Sequence, residues 1–212
     1  MQALRKEGIA VLLLCSDGLT GKKLFETVKT LTAGAQKAAL VVTADNVYKE
    51  KNHHVPRAAA TLEALGLSVD PFDLDTMPPE RLLSYDVIEC IGGNPFYLKR
   101  AILLHGAKAA FAVLSQKKLL IGRSAAAFVF GPSLEPVYRY SPELNEWDAG
   151  DLSGLGLTNV EVLPHCDRFL TRFADFEQTC RAYERERGVR VMRLNDGDGV
   201  LIDGESVSRI GA

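Results

Sequence analysis

A serine stands between small residues where an apolar run ends: Leu119-Leu120-Ile121 leads into Gly122-Arg123-Ser124-Ala125-Ala126. This is the pattern of a nucleophile elbow, in which a strand turns directly into a helix and the serine takes a strained backbone conformation with Oγ projecting. The residues two before and two after must be small so that strand and helix can pass closely, and Gly122 and Ala126 meet that need. The following helix directs its first N–H groups at the site, where they favour the negative charge of an acyl-transfer intermediate. The chemistry expected of Ser124 is nucleophilic attack on a carbonyl.

That chemistry needs an oxyanion site, a base and an acid. Gly92-Gly93-Asn94 follows the apolar run Val87 to Ile91, and two glycines there can expose main-chain N–H groups close to a ligand. An N–H of this glycine turn and that of Ala125, the residue after the serine, are the expected oxyanion donors. A serine hydroxyl is a weak nucleophile without a neighbouring base, usually a histidine held by a carboxylate. Of the four histidines, His53 and His54 lie in a polar loop beside Lys49, Glu50 and Lys51, and His105 falls in a helical tract before Gly106. His165 instead ends the apolar run Val160 to Leu163, directly after Pro164. For the acid, Glu135, Glu143, Glu146, Asp148 and Asp151 lie between Ser124 and His165, and the spacing does not rank them.

The elements that must position these groups alternate between short apolar runs and helical patterns. Ile9 to Leu14 and Ala38 to Val42 read as buried strands. Pro56 to Leu65 reads as a helix stopped by Gly66, and Leu67 to Leu74 as the next extended segment. Val87 to Ile91, Lys118 to Gly122 and Val160 to Leu163 add three strands, with a helical tract from Tyr97 to Gln116. This alternation predicts a parallel sheet covered on both faces, with ligands bound at the carboxyl ends of its strands. Val189 to Leu194 and Val200 to Ile202, joined across Asn195-Asp196-Gly197-Asp198-Gly199, predict an antiparallel hairpin closing one sheet edge. The least regular segment is Pro132 to Gly156.

The totals suit one domain spanning 1–212: the chain is 47% hydrophobic and 25% charged. With 25 basic and 27 acidic residues the formal charge is -2, and no block of like charge follows a nucleic-acid backbone, so nucleic acid is not an expected partner. The apolar run at the N-terminus is far shorter than the roughly 20 residues that span a bilayer, so no membrane association is expected. Cys15, Cys90, Cys166 and Cys180 form no CxxC pair or zinc spacing. Scattered cysteines fit a reducing cytoplasm, and neither a metal nor a cofactor is expected.

Three motifs in order, Gly92-Gly93-Asn94-Pro95-Phe96, Gly122-Arg123-Ser124-Ala125-Ala126-Ala127 and Leu163-Pro164-His165, resemble those of the peptidase E family of serine peptidases. The resemblance runs over nearly the whole chain. Gly131-Pro132-Ser133-Leu134-Glu135 is similar to an S-P-N-I-E segment of the family's bacterial branch, and Gly154-Leu155-Gly156-Leu157 to its A-L-x-L. The resemblance implies a flavodoxin-like, class I glutamine-amidotransferase-like three-layer sandwich with a mostly parallel central sheet. It also implies a Ser-His-acid triad, with Ser124 as nucleophile, His165 as base and Gly93 at the oxyanion. Two departures stand out. Ala126 replaces the elbow glycine, and Tyr138-Arg139-Tyr140-Ser141-Pro142-Glu143 lacks the aspartate of the family's N-D-x-P segment, which leaves Glu135 as the expected acid, with Glu143 and Asp148 in reserve.

The implied activity is hydrolysis of short peptides, dipeptides with an N-terminal aspartate in particular, through an acyl-enzyme. Asn94, Arg123 and Arg168 are the expected substrate contacts, the two arginines as cationic partners of an acidic side chain. A monomer or a homodimer is expected. The alternative is a binding module that keeps the fold without the chemistry. A cysteine-dependent amidotransferase is disfavoured because position 124 is serine.

Overall fold

The structure, a computed structural model, describes residues 10–147 and 150–211. A seven-stranded sheet has the order β3-β2-β4-β5-β1-β8-β9. Its parallel strands are β1 (Val11–Cys15), β2 (Lys37–Val41), β3 (Ser68–Phe72), β4 (Val87–Cys90) and β5 (Leu119–Arg123). A second, two-stranded parallel sheet pairs β6 (Glu161–Leu163) with β7 (Val191–Arg193). Finally β8 (Gly199–Asp203) runs antiparallel to β1 and to β9 (Ser206–Ile210).

The parallel strands read as unbroken apolar runs because successive side chains enter different cores. In β1, Leu12 and Leu14 join the core on one face, while Val11, Leu13 and Cys15 join the core on the other. The second face is covered by α1 (Lys22–Leu31) and α2 (Val55–Glu63), through Leu24, Val28, Val55, Ala58 and Leu62. On the first face lie α3 (Pro95–Leu104), α4 (Lys108–Lys117), α5 (Ala125–Phe130) and α6 (Glu135–Tyr140). After β6 come α7 (Cys166–Arg172) and α8 (Phe176–Arg187), whose Phe176, Cys180 and Tyr183 extend the same core. The sheet edges are blunted: Pro71 sits in edge strand β3, and β9 exposes Ser206, Ser208 and Arg209.

Three expectations are corrected. The helical tract from Tyr97 to Gln116 is two helices, broken where Gly106 takes φ +66°. The run ending at Leu163 pairs with β7 in the small sheet and not with the central one. As a consequence the expected hairpin across Asn195 to Gly199 does not form: its first arm belongs to the small sheet and its second to the large one. The C-terminal hairpin is β8–β9, turning at Gly204 and Glu205. Segment 195–198 therefore crosses between the two sheets. Among the described residues no helix is long and apolar enough to cross a membrane.

Candidate active site

The strands β4, β5 and β1 are neighbours, and their carboxyl ends are level: Cys90 pairs with Gly122, and Arg123 with Cys15. The residues that follow these ends, Gly92-Gly93, Ser124 and Ser16, therefore emerge side by side. The small sheet brings two more strand ends to the same place. Leu163 is opposite Arg193, and the N–H of Cys166 donates to the carbonyl of Leu194 at 2.9 Å, so His165 and Asp196 leave β6 and β7 together.

Ser124 has φ 52° and ψ −109°, a conformation that side chains rarely adopt and the mark of an elbow. Its N–H donates to the Cys15 carbonyl at 3.0 Å. Its side chain caps nothing in α5, which leaves the hydroxyl free for the histidine. Gly122 is required here, since a Cβ at that position would stand 2.6 Å from the Phe130 ring. The methyl of Ala126 is fully buried in the elbow, so the small residue replacing glycine is accommodated inside the core.

His165 Nε2 lies 2.8 Å from Ser124 Oγ. Its other ring nitrogen, Nδ1, lies 2.7 Å from Asp196 Oδ1. An ionised carboxylate only accepts, so the proton of the neutral ring sits on Nδ1, and Nε2 accepts from the Ser124 hydroxyl. Asp196 is partly buried, which alone would raise its pKa; hydrogen bonds from His165, Ser16 and Arg168 overcome that and hold it below the ordinary carboxylate value. A chain of hydroxyl, imidazole and fixed carboxylate can draw the proton from the serine as its oxygen attacks.

The acid is where the sequence reading departs from the structure. Glu135 is held by Arg139 at 2.6 Å and by Arg187 at 2.6 Å, and the carboxylate on His165 is Asp196. Glu143 is exposed and stands 4.0 Å from Arg172, while Asp148 lies outside the described residues. Asp196 follows β7 as His165 follows β6 and Ser124 follows β5.

The glycine turn also divides differently. A Cβ on Gly92 would lie 3.3 Å from Ser124 Oγ, so this glycine packs directly on the serine. A Cβ on Gly93 would meet the carbonyl oxygen of Ala44 at 2.4 Å. Among the described residues neither Gly93 nor Ala125 donates its N–H to a backbone acceptor. Asn94, expected at the substrate, is occupied: its Oδ1 accepts from the N–H groups of Phe96 and Tyr97 at the start of α3, and its Nδ2 donates to Leu144 O at 2.7 Å.

Arg168, also expected at the substrate, donates Nε to Asp196 Oδ2 at 2.7 Å while most of its side chain stays exposed. Arg123 is buried, its aliphatic stem against Gly18. His54 sits in the field of these groups: partial burial and the charges of His53, Arg123, Arg168 and Arg57 lower its pKa. Among the described residues no group of three or more His, Cys, Asp or Glu side chains is arranged to hold a metal ion.

The sequence model of Peptidase family S51 matches residues 12–210. Among solved structures, a Listeria monocytogenes EGD-e protein described as peptidase E superposes with TM-score 0.77 at 21% identity, covering 95% of this chain and 98% of that one. A peptidase from an acI-B1 Actinobacterium superposes with TM-score 0.68 at 19% identity, covering 99% of this chain and 91% of that one. At these identities the two structures establish a shared fold. No curated protein sequence matches.

Proposed function

The chain belongs to peptidase family S51 and is a serine-type peptidase, and from that premise we propose that Ser124, His165 and Asp196 form its catalytic triad and that it hydrolyses short peptides. The observation that carries this reading is the unbroken chain from Ser124 Oγ to His165 Nε2 at 2.8 Å and from His165 Nδ1 to Asp196 Oδ1 at 2.7 Å.

In this mechanism Ser124 Oγ attacks the scissile carbonyl carbon while its proton passes to His165 Nε2. The carbonyl electrons move onto oxygen, where the N–H groups of Gly93 and Ala125 receive the negative charge. Collapse of that adduct breaks the carbon–nitrogen bond, and the amine leaves with the proton from Nε2. Water then attacks the acyl-enzyme, gives its proton to Nε2 and releases the acid and the Ser124 hydroxyl. Throughout, Asp196 orients the imidazole and stabilises it when charged.

The proposed substrate class is dipeptides with an N-terminal aspartate. Supporting it is the positive charge of Arg57, Arg123 and Arg168, which act together on His54, since such charge favours an anionic side chain over a neutral one. The test is a panel of aspartyl, asparaginyl and alanyl dipeptides sharing one leaving residue. Aspartyl substrates are expected to show the highest kcat/KM. Equal values for aspartyl and asparaginyl peptides would remove the charge argument and leave a peptidase of another specificity.

A further inference from the structure

Ser16 follows β1 directly and is completely buried. Its hydroxyl donates to Asp196 Oδ1 at 2.8 Å and accepts from the main-chain N–H of His165 at 2.8 Å. The same oxygen lies 3.3 Å from His165 Nδ1. The direction of the hydroxyl proton is forced, because the carboxylate can only accept and the main-chain N–H can only donate. Two acceptors, Asp196 Oδ1 and Ser16 Oγ, thus face Nδ1. Both favour the tautomer with Nδ1 protonated, the one that leaves Nε2 open to Ser124. The main-chain N–H of Ser16 donates to Asp198 O at 3.1 Å, so the residue also ties the central sheet to the segment that carries the acid.

His165 needs this support. It adopts φ 59° and ψ 34°, a left-handed conformation that is strained for a residue with a Cβ and persists only where its surroundings impose it. Ser16 holds the N–H of that residue and the carboxylate beside its ring with one oxygen. The other partner of Asp196, Arg168, is mostly exposed and grips the opposite carboxylate oxygen from the solvent side.

We propose that Ser16 is the positioning residue of the site, a buried hydroxyl that fixes the His165 backbone, the His165 tautomer and the Asp196 carboxylate at once. This rests on the Ser124-His165-Asp196 reading. Without the hydroxyl, Asp196 Oδ1 and the His165 N–H each lose a partner, and the imidazole loses its alignment with Ser124. A displacement of about 1 Å at a reacting group is enough to cost about 100-fold in rate.

The test compares Ser16→Ala, Ser16→Thr, Ser124→Ala and Asp196→Asn with wild type in peptide hydrolysis, thermal unfolding and proton NMR of the downfield Nδ1–H resonance. Ser16→Ala is expected to lower kcat about 10- to 100-fold with KM changed less than about twofold, and to shift or broaden that resonance while the protein stays folded. Ser16→Thr, which keeps the hydroxyl, is expected to recover most of the rate. If Ser16→Ala is folded with wild-type kcat and an unchanged resonance, the role of Ser16 is overturned while the triad stands. If Ser16→Ala does not fold, the decision passes to Ser16→Cys, which keeps the size but only a weak donor; wild-type kcat in that variant overturns the proposal and a 10-fold or larger loss supports it. Activity surviving in Ser124→Ala would instead overturn the triad itself.

Discussion

Asp196 Oδ1 stands 2.7 Å from His165 Nδ1, although the two residues come from different strands of a small sheet and the acid follows the histidine in the chain. Triad geometry is set by where side chains converge and imposes no chain order. Here the convergence is produced by the β6–β7 pair docking onto the ends of β1, β4 and β5.

Exchanging the acid separates the two candidate carboxylates. Asp196→Asn is expected to lower kcat about ten-thousand-fold, because an amide beside Nδ1 disfavours the productive tautomer. Glu135→Gln is expected to leave kcat within about twofold and to lower Tm by a few degrees, since Glu135 pairs with Arg139 and Arg187 away from the histidine. Steady-state kinetics and thermal unfolding of both variants check this.

The two glycines of the turn should fail in different ways. A methyl on Gly92 would lie 3.0 Å from Ser124 Cβ and 3.3 Å from its Oγ, so Gly92→Ala is expected to fold and lose about 100-fold in kcat/KM by displacing the nucleophile. A methyl on Gly93 would strike the Ala44 backbone at 2.4 Å, which cannot yield, so Gly93→Ala is expected to show a lower Tm. Paired activity and melting data distinguish the cases.

Glu89 makes stability depend on pH. It is buried in β4, and that burial raises its pKa from 4.5 to about 7 against the opposing charge of Arg123. The native state therefore keeps a proton that the unfolded chain releases. Its contribution is fully present below about pH 4.5 and is lost as pH rises to about 7, a change of roughly 3 kcal/mol. Urea unfolding of wild type should show this falling contribution between pH 5 and 7, and Glu89→Gln should flatten it.

The parts of the site written in local sequence were legible. The elbow at Ser124 requires small neighbours at fixed offsets, and His165 ends a short apolar run, so both stand out in a linear reading. The central parallel strands were legible for a similar reason: residues buried on both faces read as continuous apolar runs, with ends within a residue or two of those observed. Asp196 was hidden because Asn195-Asp196-Gly197-Asp198-Gly199 has the composition of a hairpin turn. Whether such a segment turns back on itself or crosses to another sheet depends on the partner of β7, and that partner, β6, lies about thirty residues earlier in the chain. Asp196, the carboxylate on His165 Nδ1, lies beyond the stretch between Ser124 and His165 from which the acid was expected. Asn94 misled differently. Its place after two glycines suggested ligand contact, whereas its side chain is committed to capping α3 and to Leu144.

If Ser124 is a nucleophile activated through His165 and Asp196, a fluorophosphonate should label it, and the most direct measurement is intact-protein mass after treatment with that reagent, followed by peptide mapping. Wild type is expected to gain one phosphonyl group on Ser124, Ser124→Ala none, and Asp196→Asn to react about a thousandfold or more slowly. A wild-type protein that remains unmodified, or an adduct that persists in Ser124→Ala, would contradict the account.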